Sequence, residues 1–201
     1  MIPAATRRVR AAGPRRPRLV LMLKEPRPGR VKTRLGRGIG MTEAARWFRR
    51  QTTHLIRRLR DPRWDLILAV APDAEGLASR VWPADLPRVP QGQGDLGHRM
   101  ARVLRSLPPG PALICGADIP GIDRPAIAEA FGALGRAPAV LGPAPDGGYW
   151  CVGLRRTGAV PARLFDGVRW STRHALADTE RTLAGAARLR TLRDVDTAAD
   201  L

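Results

Sequence analysis

Short apolar runs alternate along the chain with longer segments whose apolar residues recur at helical spacing. The runs Arg18 to Leu23, Asp65 to Ala71 and Ala112 to Cys115 have the length and continuous apolar character of strands buried on both faces. Between the first two, the spacing predicts a helix from Thr42, as N-cap, to about Arg60. Strands separated by helices pair in parallel and carry helices on both faces. The pattern therefore predicts an α/β fold, a Rossmann-like three-layer α/β/α sandwich with a mixed, mostly parallel sheet.

The later part of the predicted sheet is expected to turn antiparallel. The strands Ala139 to Leu141 and Tyr149 to Leu154 are joined by a connection rich in Gly, Pro and Asp that is too short for a crossover helix. Asp123, followed by Pro125, is the predicted N-cap of another helix. The remaining expected elements are a long loop over Lys24 to Gly40, a weak strand at Leu86 to Pro90, a helix over His98 to Leu107, a helix capped by Ser171 or Thr172, and an edge strand at Leu189 to Leu192.

The length of 201 residues suits a single domain. Residues 18–201 are expected to form it, and residues 1–17 are expected to be a solvated basic tail, because six arginines and no acidic residue lie in residues 1–18. No apolar run approaches the ~20 residues that a membrane span needs, and the N-terminus lacks a signal-peptide pattern. We therefore expect a cytoplasmic protein with no membrane partner; its oligomeric state is left open.

Basic residues greatly outnumber acidic ones, and nearly all of them are arginine. The net charge is +17, and of the 35 basic residues only Lys24 and Lys32 are lysine. A nucleic-acid-binding surface interleaves aromatic side chains with its cations, whereas this chain has one tyrosine and three phenylalanines. We therefore expect no nucleic acid partner. The two lysines share one loop, which suggests point charges placed against phosphate oxygens.

That loop, KEPRPGRVKTRLG, follows the first predicted strand. Ligands collect at the carboxyl ends of strands in open α/β sheets, and the loop's cations, hydroxyl and glycine suit two or three adjacent phosphates. A solvated basic loop is the alternative, and the Walker A spacing is absent. The candidate phosphate-binding residues are Lys24, Gly29, Lys32, Thr33 and Arg34, of which Lys32 and Arg34 are also candidate catalytic cations.

Three aspartates are candidate metal ligands. Asp118 follows a buried central strand in the segment GADIP, where a carboxylate is costly unless a cation meets it. Asp194 and Asp196 alternate at period two in RDVDTAADL and so point the same way from an extended segment. Hard divalent cations bind such oxygens, so Mg²⁺ or Mn²⁺ is the expected cofactor. The alternative is that these aspartates cap helices. Asp123 is better placed than Asp118 for such a role. A C-terminal cap would use Thr197 as N-cap and Asp200 in the first turn, and it does not involve Asp194.

Two glycine-rich stretches, QGQGDLG and GPAPDGGYW, each place one aspartate among residues that permit close backbone approach. Either could be only a tight turn, but both lie near predicted strand ends. The candidate ligand-binding residues are Gly94, Asp95, Gly147 and Gly148. Asp146, or else Asp95, is the candidate general base.

These clusters occur together and in order, and in this the chain resembles the DUF2064 family, also called rSAM/selenodomain-associated transferase 1, of the nucleotide-diphospho-sugar transferase (GT-A-like) superfamily. The segments that carry the resemblance span positions 19–201: KEPRPGRVKTRL, QGQGDLG, GADIP, GPAPDGGYW, LFDGVRWST and DVDTAADL. The resemblance implies a GT-A-like sheet. The family more often has a small polar residue and Asp-Leu where this chain has Ile119, Gly121 and Ile122, a departure that bears on the acceptor side.

More distantly, KTRL, GADIP and DVDTAADL resemble the phospholactate guanylyltransferase and molybdenum-cofactor nucleotidyltransferase families. In such enzymes an aspartate matching Asp118 would bind a divalent metal, and in the guanylyltransferase so would those matching Asp194 and Asp196. The basic loop would meet the nucleotide phosphates.

Two reactions fit one set of residues, and both lead to a transferase with a small-molecule acceptor. In glycosyl transfer from a nucleotide sugar, metal and basic loop stabilise a departing nucleoside diphosphate. In nucleotidylyl transfer from an NTP they stabilise departing pyrophosphate. Lys24, Lys32 and Arg34 favour the second, whereas the usual label of the family, a glycosyltransferase related to arsenosugar biosynthesis, favours the first. We take glycosyl transfer as the leading expectation; a basic nucleic-acid-binding protein is the alternative of another class.

Overall fold

The computed structural model describes residues 16–156 and 158–201. Most of the expected basic tail, residues 1–15, therefore lies outside the described residues, and the expected division at residue 17 stays a prediction. At the border, Arg16 donates a hydrogen bond to the carbonyl of Pro62 and forms an ion pair with Asp65, with Nε 3.1 Å from Oδ1. No helix within the described ranges is long and apolar enough to cross a membrane.

Seven strands form one sheet in the described part of the chain, in the order β3-β2-β1-β4-β6-β5-β7. β6 runs antiparallel to both of its neighbours, and every other pair is parallel. The mixed, mostly parallel sheet and its antiparallel later part are thus confirmed. The strands are β1 (Arg18–Lys24), β2 (Asp65–Ala71), β3 (Arg88–Pro90), β4 (Ala112–Cys115), β5 (Ala139–Pro143), β6 (Tyr149–Leu154) and β7 (Ala186–Arg188).

Helices cover both faces of this sheet, which gives the expected three layers. Asp123 caps its helix as predicted, because its carboxylate accepts a hydrogen bond from the backbone N–H of Ala126 at 2.8 Å. The helices are α1 (Thr33–Ile39), α2 (Met41–Leu59), α3 (Asp73–Ala78), α4 (Leu96–Ser106), α5 (Arg124–Leu134) and α6 (Ala175–Thr182), and a 3₁₀ turn (Ala198–Asp200) follows near the C-terminus.

Two apolar cores form because successive residues of a strand point to opposite faces of the sheet. On β1, Leu19 and Leu21 belong to the core under α2 and α5, whereas Val20 belongs to the core under α4. All three are fully buried. Burial of such a side chain stabilises the fold by about 1.5–3 kcal/mol, so β1 anchors both cores and fixes where its polar C-terminal loop emerges.

The loop expected over Lys24 to Gly40 contains the helix α1, which the sequence analysis missed. Gly36 and Gly38 lower helix propensity, but tertiary packing overrides this, since Leu35 is fully buried against Ala44 of α2. Gly36 permits the approach, because a β-carbon there would lie 2.5 Å from the sulfur of Met41. The helix α2 accordingly begins at Met41, not after Thr42 as expected.

Two further boundaries differ from expectation. The edge strand is Ala186–Arg188, before the predicted Leu189 to Leu192, although the N–H groups of Leu189 and Leu192 still donate to carbonyls of β5 and its end. α6 begins at Ala175 with His174 as N-cap, and Thr172 instead accepts a hydrogen bond from the N–H of His174 within the preceding turn.

Candidate active site

A cleft of about 740 Å³ opens where β1 and β4 end. These two strands are parallel neighbours, so their carboxyl ends deliver two polar loops to the same edge of the sheet. Residues predicted from four separate segments meet in the cleft wall: Lys24, Lys32, Thr33, Arg34, Asp118, Asp146, Gly148, Asp194 and Asp196.

Lys32 lies at the centre of this cluster. Its side chain is only 7% exposed, and its Nζ lies 2.6 Å from Oδ2 of Asp118 and 3.5 Å from Oδ1 of Asp196. The residue precedes α1 in a left-handed conformation, with φ 46° and ψ 47°. A residue with a β-carbon adopts this region at some cost, and such strain is common at functional sites.

The C-terminal segment is held beside Asp118 by its backbone and by one apolar anchor. The N–H of Val195 donates to the carbonyl of Asp118 at 3.1 Å. The Val195 side chain is buried with Leu35 and Ala44 of the first two helices. Its flanking residues, Asp194 and Asp196, both line the cleft. The structure therefore brings Asp118, Asp194 and Asp196 together, as the sequence analysis expected.

Arg34 is oriented by Asp196. One guanidinium nitrogen lies 2.6 Å from Oδ2 of Asp196, and this hydrogen bond is the main reason why the pKa of Arg34 is raised. Asp196 therefore contacts two cations, the ammonium of Lys32 and the guanidinium of Arg34. This pairing makes Asp196 a positioning residue for the two basic side chains more readily than a metal ligand.

Asp194 lies in a negative environment. Its pKa is raised, first by burial and then by repulsion from the carboxylates of Asp118 and Asp146, which Lys32 only partly offsets. The cleft lining has four carboxylates, with Asp196 as the fourth, and six basic side chains, of which Lys32 and Arg34 pair with these carboxylates. The mutual repulsion of Asp118, Asp146 and Asp194 shows that carboxylate oxygens are concentrated at one place, which suits a divalent cation.

The fit to a metal is therefore one of charge and of donor chemistry. Among the described residues no three carboxylate, histidine or cysteine side chains come close enough to hold a metal ion together. Mg²⁺ is commonly bound by one or two carboxylates and completes its shell with water and substrate phosphates. Asp118 and Asp194 match this arrangement, because their carboxylates repel each other and, among the described residues, Asp118 pairs with one cation and Asp194 with none.

Part of the positive charge of the basic loop is neutralised by ion pairs with carboxylates. Arg27 and Arg30 both pair with Glu75 of α3, with nitrogen–oxygen distances of 3.0 and 3.4 Å. Lys24 is exposed at the end of β1 and, within the described ranges, has no carboxylate partner. The tip of the loop at Gly29 turns with φ 74° and does not line the cleft. Among the described basic side chains of this loop, Lys24 is thus the one that lines the cleft and is not paired with a carboxylate, so it is available to bind a phosphate.

Asp95 has a different position from the one predicted. It is the N-cap of α4, where it accepts hydrogen bonds from the N–H of His98 and pairs with the His98 ring at 2.8 Å. The hydrogen bond from His98 lowers the pKa of Asp95, which opposes a role as a proton acceptor. Neither Asp95 nor Gly94 lines the cleft, so the geometry favours a local structural role for this stretch, which was expected to be either a ligand-binding site or only a tight turn.

The second glycine-rich stretch forms a tight turn at the cleft edge. Asp146 accepts a hydrogen bond from the N–H of Gly148 at 2.8 Å, and both residues line the cleft. Gly147 lies outside the lining and has a packing role: with φ 84°, a β-carbon there would lie 2.2 Å from the carbonyl oxygen of Arg173. The turn therefore presents Asp146 to the cleft and fixes the segment around Arg173 behind it.

Sequence reasoning missed part of the cleft wall. Gln91 is 2% exposed, and its amide donates to the carbonyls of Leu23 and Ala69 at 2.9 and 2.8 Å, which ties together the ends of β1 and β2. Its oxygen accepts from Arg99 at 3.3 Å. The signal was the polar residue that begins QGQGDLG, directly after a strand.

Another part of the cleft wall comes from the segment RWSTR, in which Ser171 or Thr172 was predicted to cap a helix. Trp170 packs edge-on against Tyr149 and Phe165, with centroid distances of 6.4 and 5.8 Å. Burial raises the pKa of Tyr149, which keeps its hydroxyl protonated. The missed cleft residues of this wall are Tyr149, Trp170, Ser171, Thr172 and Arg173.

Comparisons with known proteins identify the family of the chain and its fold. A model of the DUF2064 family, described as "uncharacterized protein conserved in bacteria", matches residues 54–172. A crystal structure from Desulfovibrio desulfuricans G20 has a TM-score of 0.78 and 28% identity over 91% of this chain and 83% of its own. The name of that protein describes it as a nucleotide-diphospho-sugar transferase and marks this function as inferred.

More distant structures share the fold. The inositol-1-phosphate CTP transferase of T. maritima has a TM-score of 0.59 and 12% identity over 94% of this chain and 92% of its own. The manganese complex of Rv0371C from Mycobacterium tuberculosis H37Rv has a TM-score of 0.53 and 15% identity over 94% and 96%. No curated protein sequence matches the chain at a significant level.

Proposed function

Because the chain belongs to the DUF2064 family and has the fold of nucleotide-diphospho-sugar transferases, we propose that it is a divalent-metal-dependent transferase that uses an activated nucleotide as its donor. The observation that carries this proposal is the cluster of Lys32, Asp118 and Asp194 at the end of β4, in which a buried ammonium lies against one of two carboxylates that repel each other. The leading reaction is glycosyl transfer from a nucleotide sugar to a small-molecule acceptor.

The roles of the residues follow from their positions. Mg²⁺ or Mn²⁺ would be held by Asp118 and Asp194, and when bound it supplies positive charge at the donor diphosphate. Lys24 and Lys32 would contact phosphate oxygens of the donor, and Arg34, which pairs with Asp196, lines the same cleft. Such groups act by electrostatic stabilisation of the charge that develops on the leaving diphosphate.

In the proposed step, an acceptor hydroxyl forms a bond to the anomeric carbon while the bond from that carbon to the diphosphate oxygen breaks. The electron pair leaves with the nucleoside diphosphate, and the hydroxyl proton passes to a base. Asp146 is the candidate base, because one of its oxygens is fixed by the N–H of Gly148 while the residue stays exposed at the cleft edge. The name of the Desulfovibrio protein supports the glycosyl reaction.

Nucleotidylyl transfer is the second candidate, and one observation favours it. Both lysines of the chain line the cleft, together with Arg34, which is more cationic charge than a diphosphate alone requires. In that reaction an acceptor phosphate attacks the α-phosphorus of an NTP and pyrophosphate leaves. The CTP transferase of T. maritima shares the fold.

Calorimetric titration of the protein with nucleoside triphosphates and nucleotide sugars, each with Mn²⁺ or with EDTA, tests the proposal. We expect metal-dependent binding, and we expect Asp118→Asn to weaken it by about tenfold or more. Asp166→Asn is the matched control, since Asp166 is exposed and lies outside the cleft. Unchanged metal-dependent binding in Asp118→Asn would refute the site.

The leaving group then separates the two reactions. Release of a nucleoside diphosphate from a nucleotide sugar in the presence of acceptors supports glycosyl transfer. Release of pyrophosphate from an NTP supports nucleotidylyl transfer. Salt-sensitive binding of DNA or RNA, with no binding of any nucleotide donor, would contradict both.

A further inference from the structure

Lys32 occupies one carboxylate oxygen of Asp118, since its ammonium lies 2.6 Å from Oδ2. The other oxygen lies near Gly116, where a β-carbon would be 3.0 Å from Oδ1. A divalent cation that approaches Asp118 from the cleft therefore meets a carboxylate oxygen that already has a buried cation beside it.

Two cations on one carboxylate repel each other strongly when solvent is partly excluded. Lys32 is 7% exposed on its side chain, so water screens this repulsion poorly. The second carboxylate near the ammonium is farther away and shared: Oδ1 of Asp196 lies 3.5 Å from Nζ, while Oδ2 of the same carboxylate accepts from Arg34 at 2.6 Å. Lys32 and a metal ion at Asp118 are thus competitors unless a further anion enters the cleft.

A phosphate group is such an anion. Its oxygens offer the ammonium new acceptors on the cleft side, where the exposed Lys24 already marks the end of β1. Because the left-handed backbone at Lys32 is fixed by the start of α1, only the side chain needs to move. The transfer of the ammonium from Asp118 to phosphate releases Oδ2 for a metal.

We propose that Lys32 acts as a latch that makes tight metal binding conditional on phosphate binding: its ammonium holds Asp118 until the diphosphate of the donor draws it away. This inference rests on the proposed function, since it takes the diphosphate to be part of the donor. It adds an order to that function, in which metal and nucleotide enter the site together and metal alone binds weakly.

Mn²⁺ titration without nucleotide, followed by the electron paramagnetic resonance signal of free Mn²⁺, tests the latch. We expect Lys32→Met to bind Mn²⁺ about tenfold or more tightly than the wild-type protein, a typical size for coupling between sites. Lys24→Met is the matched control, because it removes the same charge from the same cleft without touching Asp118, and its Mn²⁺ affinity is expected to stay near wild type. Lys32→Arg keeps the charge and is expected to stay weak.

If Lys24→Met increased the Mn²⁺ affinity as much as Lys32→Met, the cause would be the loss of overall positive charge, and the latch would be refuted. Unchanged or weaker Mn²⁺ binding in Lys32→Met would do the same. Because removal of a buried ammonium can impair folding, a second measurement uses the wild-type chain.

The chain has only two lysines, so a protein labelled with ¹³C at the lysine ε-carbons gives two resolvable NMR signals, which Lys24→Met assigns. Mg²⁺ with inorganic pyrophosphate, as a probe of the diphosphate site, is expected to shift the Lys32 signal, whereas Mg²⁺ alone at the same concentration leaves it in place. A Lys32 signal that does not move when the probe saturates the site refutes the latch.

These outcomes separate the two proposals. If no nucleotide donor binds in the calorimetric panel, the proposed function fails. If a donor binds with metal but Lys32→Met fails to tighten Mn²⁺ binding, only the latch fails.

Discussion

A single buried carboxylate fixes one wall of the cleft at the residue scale. Asp178 is 2% exposed and accepts two hydrogen bonds from the guanidinium of Arg169, at 2.8 and 3.0 Å, and one from the Arg169 N–H at 3.1 Å. It also pairs with Arg181. The hydrogen bonds from Arg169 hold the pKa of Asp178 well below its usual range. Arg169 directly precedes Trp170, so the ion pair anchors the segment that forms this wall.

Asp178→Asn is expected to lower the free energy of unfolding at pH 7. A depressed pKa in the folded protein means that stability is present above the unfolded-state value of ~3.9 and is lost as pH falls toward the folded value. The difference between variant and wild type should therefore be full at pH 6–7 and shrink below about pH 4. Urea denaturation across this range measures it, with Asp166→Asn as the exposed control. A difference that does not depend on pH would contradict the charged pairing.

The sequence predicted the surroundings of some candidate site residues correctly and those of others wrongly. Asp118 could be predicted because a carboxylate at the end of a fully buried strand requires a cation. Asp95 was a candidate because of its glycine-rich surroundings, but it follows no long buried strand, and its carboxylate is used as the N-cap of α4. Lys32 was found as one of two lysines, yet its pairing with Asp118 depends on α1, which was not predicted.

At the element scale, the C-terminal segment and α1 form one unit that places the acidic cluster. Val195 packs on Leu35 and Ala44 and donates its N–H to Asp118. The strands could be predicted from their apolar runs, whereas α1 could not, because it depends on burial against α2 and not on its own glycine-containing sequence. The capping box of Thr197 and Asp200 was predictable because both partners lie within one turn.

Val195→Ala is expected to reduce the free energy of unfolding by roughly 1–3 kcal/mol and to weaken metal-dependent nucleotide binding, since it loosens Asp194 and Asp196. Val140→Ala is the matched control: Val140 is fully buried in β5 and lies outside the cleft. It should cost comparable stability without loss of affinity. Chemical denaturation and calorimetry on the two variants make the comparison, and equal loss of affinity in both would argue against a specific role for the C-terminal segment.

At the scale of the whole molecule, the chain has a net charge of +17, whereas the carboxylates of Asp118, Asp146 and Asp194 lie close enough in the cleft to repel one another. The sequence predicted the three layers and the mixed sheet. It did not predict which basic side chains pair with carboxylates, because these pairs depend on the tertiary structure. Arg27 and Arg30 pair with Glu75, whereas Lys24 and Arg173 line the cleft without a carboxylate partner in the described part of the chain. We therefore expect the outer field to attract anions and the carboxylates of the cleft to favour those that bind together with a metal.

This arrangement predicts that salt slows the entry of a nucleotide more than it speeds its release. A positive field raises the association rate of an anionic ligand by ~10-fold or more, and screening removes this over a Debye length of ~10 Å at 0.1 M salt. Stopped-flow mixing with a fluorescent nucleotide in the presence of Mg²⁺, from 20 mM to 500 mM NaCl, measures both rates. Contacts at Lys32 are buried from salt, so the dissociation rate should change little. A salt effect confined to dissociation would mean that the contacts that hold the nucleotide are exposed, and that its phosphates do not reach Lys32.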